Sequence, residues 1–179
     1  MWRRAAGARA AALLAVAAAS ACSGAGSPGA PGASSSASAD RLIVAVRHAE
    51  KMDDSRDPAL SPAGAARAAA LAALLADANI ERVLSSDYVR TRATAAPLAS
   101  AAGVEVEVYD PSDIPLLARL LLDAPERAIL VVGHSNTTPA LVAELTGEPA
   151  DSMPEDEYDR LYRVYVRPDG RVSAEVSRY

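Results

Sequence analysis

Four short runs along the chain carry strand character. "LIVAV" (Leu42 to Val46), "RVLSS" (Arg82 to Ser86) and "AILVVG" (Ala128 to Gly133) are apolar runs of the kind that fills a strand covered on both faces, whereas "VEVEV" (Val104 to Val108) alternates with a period of two. Longer segments of helical pattern lie between them. "LSPAGAARAAALAALLADA" repeats Leu71, Leu74 and Leu75 at helical spacing behind a Ser61 N-cap and Pro62 at the first helical position. "DYVRTRATAAPLASAAG" is stopped by Gly103, with Pro97 expected to kink or restart it. "DIPLLARLLLD" predicts a short helix, and "TTPALVAELTG" another, capped at Thr137 or Thr138 and stopped by Gly147. The chain finishes differently, with "RLYRVYVRPDGRVSAEVSRY" reading as two strands about a Pro168-Asp169-Gly170 turn. Strands alternating with helices are βαβ units. The expectation is an α/β fold: a three-layer α/β/α sandwich with a mainly parallel sheet and an antiparallel C-terminal edge hairpin.

The first forty residues do not share this pattern. Arg3, Arg4 and Arg9 precede an apolar stretch, Ala10 to Ala19, that is too short to span a bilayer comfortably, and small residues lead to Cys22. "ASAC" (Ala19 to Cys22) resembles a bacterial lipoprotein signal, with Ala19 where Leu is usual. Residues 1–21 are therefore expected to be an export signal, and Cys22 a lipidated N-terminus that attaches the protein to the membrane. The alternative is an ordinary secretory signal. Residues 22–39, rich in Gly, Ser, Pro and Ala, read as a flexible tether, and residues 40–179 as one domain in the cell envelope. Cys22 is the sole cysteine, so no intramolecular disulfide can form.

Charge narrows the class of partner. The full chain carries a net charge of −5, and removing residues 1–21, which hold three arginines and no acid, leaves −8. Such a domain is not expected to bind nucleic acid, so any anion site must be a local basic concentration. The lone lysine, Lys51, is placed at the mouth of such a site or in solvent, and the acidic "PEDEYD" (Pro154 to Asp159) reads as a solvated loop that could also cover an entrance.

That concentration falls at the strand ends. His48 and His134 are the only histidines, and each directly follows an apolar strand, in "LIVAV-RH" and "AILVV-GH". In an open parallel sheet ligands bind beyond the carboxyl ends of the strands. If the two strands are neighbours, the imidazoles share one pocket, about 5 to 8 Å apart given ~4.8 Å between strands. The segment after "RVLSS" brings Arg90 and Arg92 to the same edge, of which Arg92 reads rather as a solvated helix residue. Histidines and arginines beside helix N-termini suit a phosphate: guanidinium groups clamp its oxygens, and a neutral imidazole can act as nucleophile.

These residues resemble the histidine phosphatase superfamily. "RHAE" (Arg47 to Glu50), "SDYVRTRAT" (Ser86 to Thr94) and "GHSN" (Gly133 to Asn136) stand in the order of its motifs. "ALSPAGAARAAAL" is similar to its L-[ST]-x-x-G-x-x-Q-A segment, with Arg67 in place of Gln. Thr91 stands where the family usually has Ala. The resemblance implies a metal-independent phosphohydrolase without cofactors, acting on a phosphorylated small molecule or phosphoprotein. In it His48 becomes phosphorylated, Arg47 and Arg90 bind the phosphoryl oxygens, His134 stabilises the transition state, and Glu50 and Asn136 lie by the substrate. The general acid is expected to be Asp110, just past the third strand, with Asp113 and Glu50 as alternatives. A zinc-deaminase reading of His48-x-Glu50 fails for want of a P-C-x-x-C, and Arg47 beside His48 disfavours a cation. The competing reading is a non-catalytic, surface-tethered module that binds an anion or a partner.

Overall fold

The computed structural model describes residues 40–179. The export signal, the lipidation of Cys22 and the tether expected over residues 1–39 lie outside the described residues. Within them the order is β1 (Arg41–Arg47), α1 (Pro62–Leu74), β2 (Arg82–Ser86), α2 (Val89–Ala102), β3 (Val106–Tyr109), α3 (Ile114–Asp123), β4 (Ala128–Gly133), α4 (Thr137–Thr146), β5 (Arg160–Val166) and β6 (Val172–Arg178), with a 3-10 turn at Ala76–Ala78. The six strands form one sheet in the order β3-β2-β4-β1-β5-β6. Its first four strands are parallel, while β5 and β6 run antiparallel at the other edge. This is the expected mainly parallel sheet with a C-terminal edge hairpin.

Strand periodicity explains the three layers. In β1, Ile43 and Ala45 enter the core that holds Leu117, Leu121, Leu141 and Leu145 of α3 and α4. Val44 and Val46 enter the opposite core with Leu71 of α1 and Ala95, Leu98 and Ala99 of α2. Successive residues of one strand thus feed two cores, which is why the run has no polar position.

The helix signals hold with two corrections. Ser61 caps α1, its hydroxyl accepting from Gly64 N, and α2 and α4 end on Gly103 and Gly147 at φ 70° and 74°. Pro97, however, neither breaks nor restarts α2, which runs unbroken from Val89 to Ala102. Ala95, Leu98 and Ala99 pack around the proline into the core, and that burial holds the turn from which one backbone hydrogen bond is missing. The cap of α4 is Asn136, without a side-chain bond, and Thr137 is already its first helical residue.

One tight approach fixes the loop after β1. Ser61 N donates to the Glu50 carbonyl at 2.9 Å. A Cβ on Gly64 would lie 2.2 Å from that same oxygen, so only glycine lets the first turn of α1 press on the segment that follows His48. Replacing Gly64 with Ala is expected to destabilise the domain by about 1–3 kcal/mol, read as a lowered denaturation midpoint. A midpoint equal to the wild type would show that the two segments are not held in contact.

Candidate active site

β1 and β4 are adjacent and in register, with Arg47 opposite Gly133, and His48 N extends the ladder by donating to the Gly133 carbonyl at 2.9 Å. The next residue of each strand is a histidine. Their rings meet edge-on with centroids 5.5 Å apart, inside the expected range. Gly133 has its own reason: a Cβ there would lie 2.8 Å from Thr137 Oγ1 and 2.9 Å from the Tyr109 hydroxyl. Thr137 Oγ1 in turn accepts from His134 N at 2.9 Å, fixing the backbone that carries the second imidazole.

The "SDYVRTRAT" segment ties the two histidines to β2 and α2. Ser86 Oγ lies 2.9 Å from His134 Nε2. Thr94 Oγ1 accepts from Ala49 N at 2.9 Å and donates to the Arg90 carbonyl at 2.8 Å, so it links the loop after His48 to the helix bearing Arg90. Thr91, the unusual residue, is fully buried and its hydroxyl donates to the Ser86 carbonyl at 2.7 Å. The ring of Tyr88 stands edge-on to His134 at 5.0 Å and lies 4.4 Å under the Arg90 guanidinium.

A cavity of about 450 Å³ opens at this sheet edge, lined by Arg47, His48, Arg90, His134 and Asn136, with Lys51 also on its wall. The structure thus brings together six positions singled out in the sequence. The other candidates go elsewhere. Asp110 binds Ser112, accepting from its N at 2.9 Å and its Oγ at 2.7 Å, and faces a separate groove beside Arg82, Glu107 and Leu116. The cause is strand alternation: Tyr109 takes the inward position at the end of β3, and the next side chain turns out. Asp113 is spent as the N-cap of α3, accepting from Leu116 N. Glu50 forms a bidentate pair with Arg67, Oε2 accepting from Nε at 3.0 Å and Oε1 from Nη2 at 2.7 Å, which holds its carboxylate away from the cavity. Arg92 pairs with Asp87 outside the cavity, as its solvated reading implied.

The acidic segment Pro154 to Asp159 is more than a solvated loop. Arg47 is only 2% exposed, and its Nη1 donates to the carbonyls of Pro154, Glu155 and Glu157 at 2.9, 2.9 and 3.1 Å. The Tyr158 ring lies 4.3 Å from its guanidinium carbon and 5.9 Å from the His48 ring. Glu155 Oε2 accepts from Arg47 Nη2 at 2.9 Å, and Oε1 from Ser135 Oγ at 2.6 Å. Tyr158 and Glu155 lie outside the sequence motifs, and Tyr88 stands inside "SDYVRTRAT" at a position that carries no motif role. Only the acidity of the segment hinted that it could cover an entrance.

Electrostatics prepare both imidazoles. Burial above all, with the charges of Arg47 and Arg90, pushes His48 down to about 4, against the opposing lift of its bond to the Ala49 carbonyl. His134 is likewise pushed down to about 4, by burial and then by Arg90 and Arg47. Both rings are neutral near pH 7. The 2.8 Å contact of His48 Nδ1 with the Ala49 carbonyl requires the hydrogen on Nδ1, because the carbonyl can only accept. Nε2 therefore keeps its lone pair.

The family model of the histidine phosphatase superfamily (branch 1) matches residues 43–111. No curated protein matches the chain. Among solved structures the chain is similar to a protein histidine phosphatase SixA complexed with tungstate, at 20% identity over 76% of this chain and 96% of that one, with a TM-score of 0.63. A mycobacterial glucosyl-3-phosphoglycerate phosphatase gives 17%, 78%, 98% and 0.60 on the same measures. A putative phosphohistidine phosphatase SixA from Agrobacterium tumefaciens gives 22%, 76%, 97% and 0.56. At these identities the likeness is one of fold.

The depressed histidines make a stability prediction. An unfolded imidazole takes its proton near pH 6.5, but folded His48 does so only near pH 4, so acid favours the unfolded chain across that window. The stability present above pH 6.5 is lost as the pH falls toward 4. Between about pH 7.5 and about pH 4.5 the wild type is expected to lose roughly 2–3 kcal/mol more than His48→Asn, measured by denaturant unfolding. Equal losses in the two proteins would show that His48 is not held neutral by the fold.

Proposed function

We propose that the chain is a member of the histidine phosphatase superfamily, whose family model matches residues 43–111, and that it is a metal-independent phosphohydrolase working through a phosphohistidine on His48. The observation that carries this reading is the pairing of a neutral imidazole, its Nε2 lone pair free, with two guanidinium groups on one cavity wall. Nε2 attacks phosphorus, the bond to the leaving group breaks, and water later hydrolyses the phosphorus–nitrogen bond to release phosphate. Arg47 and Arg90 neutralise the oxygens, and His134 donates a further hydrogen bond. For that donation Ser86 Oγ–H must point at His134 Nε2, which leaves the hydrogen on His134 Nδ1. The N-terminus of α4, whose Ser135, Asn136 and Thr137 line the cavity, adds a favourable dipole.

The substrate is a phosphomonoester or a phosphohistidine, borne by a small molecule or a protein. Its supports are the size of the cavity and the phosphatases of the same fold, which are described as acting on protein histidine and on a phosphoglycerate. Export and attachment through Cys22 rest on the sequence of residues 1–22 and would place the activity outside the cytoplasm. A Cys22→Ala variant is expected to leave the membrane fraction, and its retention there would refute the anchor.

The decisive assay is hydrolysis of an aryl phosphate in the presence of a chelator. Turnover is expected to persist, to be inhibited by vanadate, and to fall by about 10⁴-fold or more in His48→Ala, as for loss of a covalent nucleophile. Full activity in that variant removes the proposal. Vanadate binding without any turnover by the wild type would instead favour the anion-binding module.

A further inference from the structure

The cavity holds two histidines, two arginines and a lysine, but among the described residues only one carboxylate lines it, that of Glu155. We propose that Glu155 is the proton-transfer residue of the reaction, supplied from the connection between α4 and β5 and not from the end of β3. The proposal rests on the phosphohydrolase reading and adds the group that reading lacks. The acids that the sequence offered for this role are engaged elsewhere. Asp110 and Asp113 turn into the groove beside α3, and Glu50 is clamped by Arg67. Asp57 accepts from Val89 N at the start of α2 and pairs with Arg90 at 3.5 Å, and Asp54 pairs with Lys51, but neither carboxylate lines the cavity.

The position of Glu155 suits the task. Its Oε2 sits on Arg47 Nη2 and its Oε1 on Ser135 Oγ, so the carboxylate bridges the residue before His48 and the residue after His134. The side chain is 81% exposed, so it exchanges protons with solvent through the mouth of the cavity. Without substrate the carboxylate is ionised, held below its ordinary range by the Ser135 hydroxyl and the Arg47 charge. Substrate reverses that. Arg47 Nε is buried and has no hydrogen-bond partner, while Nη1 is taken by three carbonyls. A phosphate oxygen that fills the Nε and Nη2 edge satisfies this orphan donor and displaces Glu155 Oε2. The carboxylate then loses its cation and gains a dianionic neighbour. Both changes raise its proton affinity, and it takes a proton from solvent.

As His48 Nε2 bonds to phosphorus and the bond to the leaving oxygen breaks, the Glu155 carboxyl gives its proton to that oxygen. As water attacks the phosphohistidine and the phosphorus–nitrogen bond breaks, the Glu155 carboxylate takes the proton of the water. The second transfer restores the carboxyl form present when substrate is bound.

The test compares leaving groups in Glu155→Gln. With an alkyl phosphate, whose alkoxide must be protonated, kcat is expected to fall by about 10²–10⁴-fold. With dinitrophenyl phosphate, whose phenolate leaves without a proton, rapid mixing should show a burst of one dinitrophenolate per site at the wild-type rate, followed by slow turnover. Asp110→Asn should match the wild type on both substrates. An equal loss on both substrates, including the burst, would make Glu155 a positioning residue for Arg47 and overturn the proposal, as would no loss on either. His48→Ala separates the two levels: if that variant still turns over, the phosphohistidine reading fails whatever Glu155→Gln does. If it is inactive while Glu155→Gln loses activity equally on both substrates, only the role of Glu155 fails.

Discussion

The parallel, in-register pairing of β1 with β4 is the constraint on which the site depends. Placing Arg47 opposite Gly133 makes the next residue of each strand a histidine on the same edge, and the 5.5 Å between rings is little more than the spacing of the strands. A slip of one residue would send one imidazole to the opposite face. Two cores prevent the slip, because successive residues of β1 are buried against different helix pairs. The same burial that fixes the register keeps His48 neutral.

Around that axis, the small polar residues of the motifs act as braces. Thr94 binds the backbone after His48, Ser86 and Thr137 hold His134 and its backbone, and the glycines at 64 and 133 give the room these contacts require. Of these groups only Thr137 lines the cavity. They convert a strand edge into a cavity whose imidazoles and guanidinium groups have little freedom, which is the form of preorganisation that charge stabilisation requires. The positive charge is balanced from outside the sheet, by the loop that precedes β5. That loop binds Arg47 through three carbonyls, a carboxylate and a tyrosine ring. A guanidinium buried to this degree needs such partners, since an unpaired buried charge costs several kcal/mol.

Asp110 shows the limit of chain position as a guide to which way a side chain faces. Its place past a strand at the correct edge made it the favoured acid, but a strand end offers two directions, and the side chain that buries best takes the inward one. Tyr109 wins that competition. The polar atoms of Asp110 are then satisfied locally by Ser112, and nothing draws it back. Pro97 is the converse case: a residue that could restart the helix leaves α2 continuous, held there by core packing.

The strands, the helices, the parallel sheet with its edge hairpin, and the meeting of His48, Arg47, Arg90 and His134 are legible along the chain. Each of these follows from periodicity, from turn chemistry or from motifs that lie immediately after a strand, and all are local in the chain. Tertiary structure decided which carboxylate faces the cavity and what holds Arg47. Glu155 lies 108 residues from Arg47, and no pattern along the chain encodes a contact between a loop and a strand end so far apart. That contact exists because β5 pairs antiparallel with β1, which returns the chain to the histidine edge just before β5 begins.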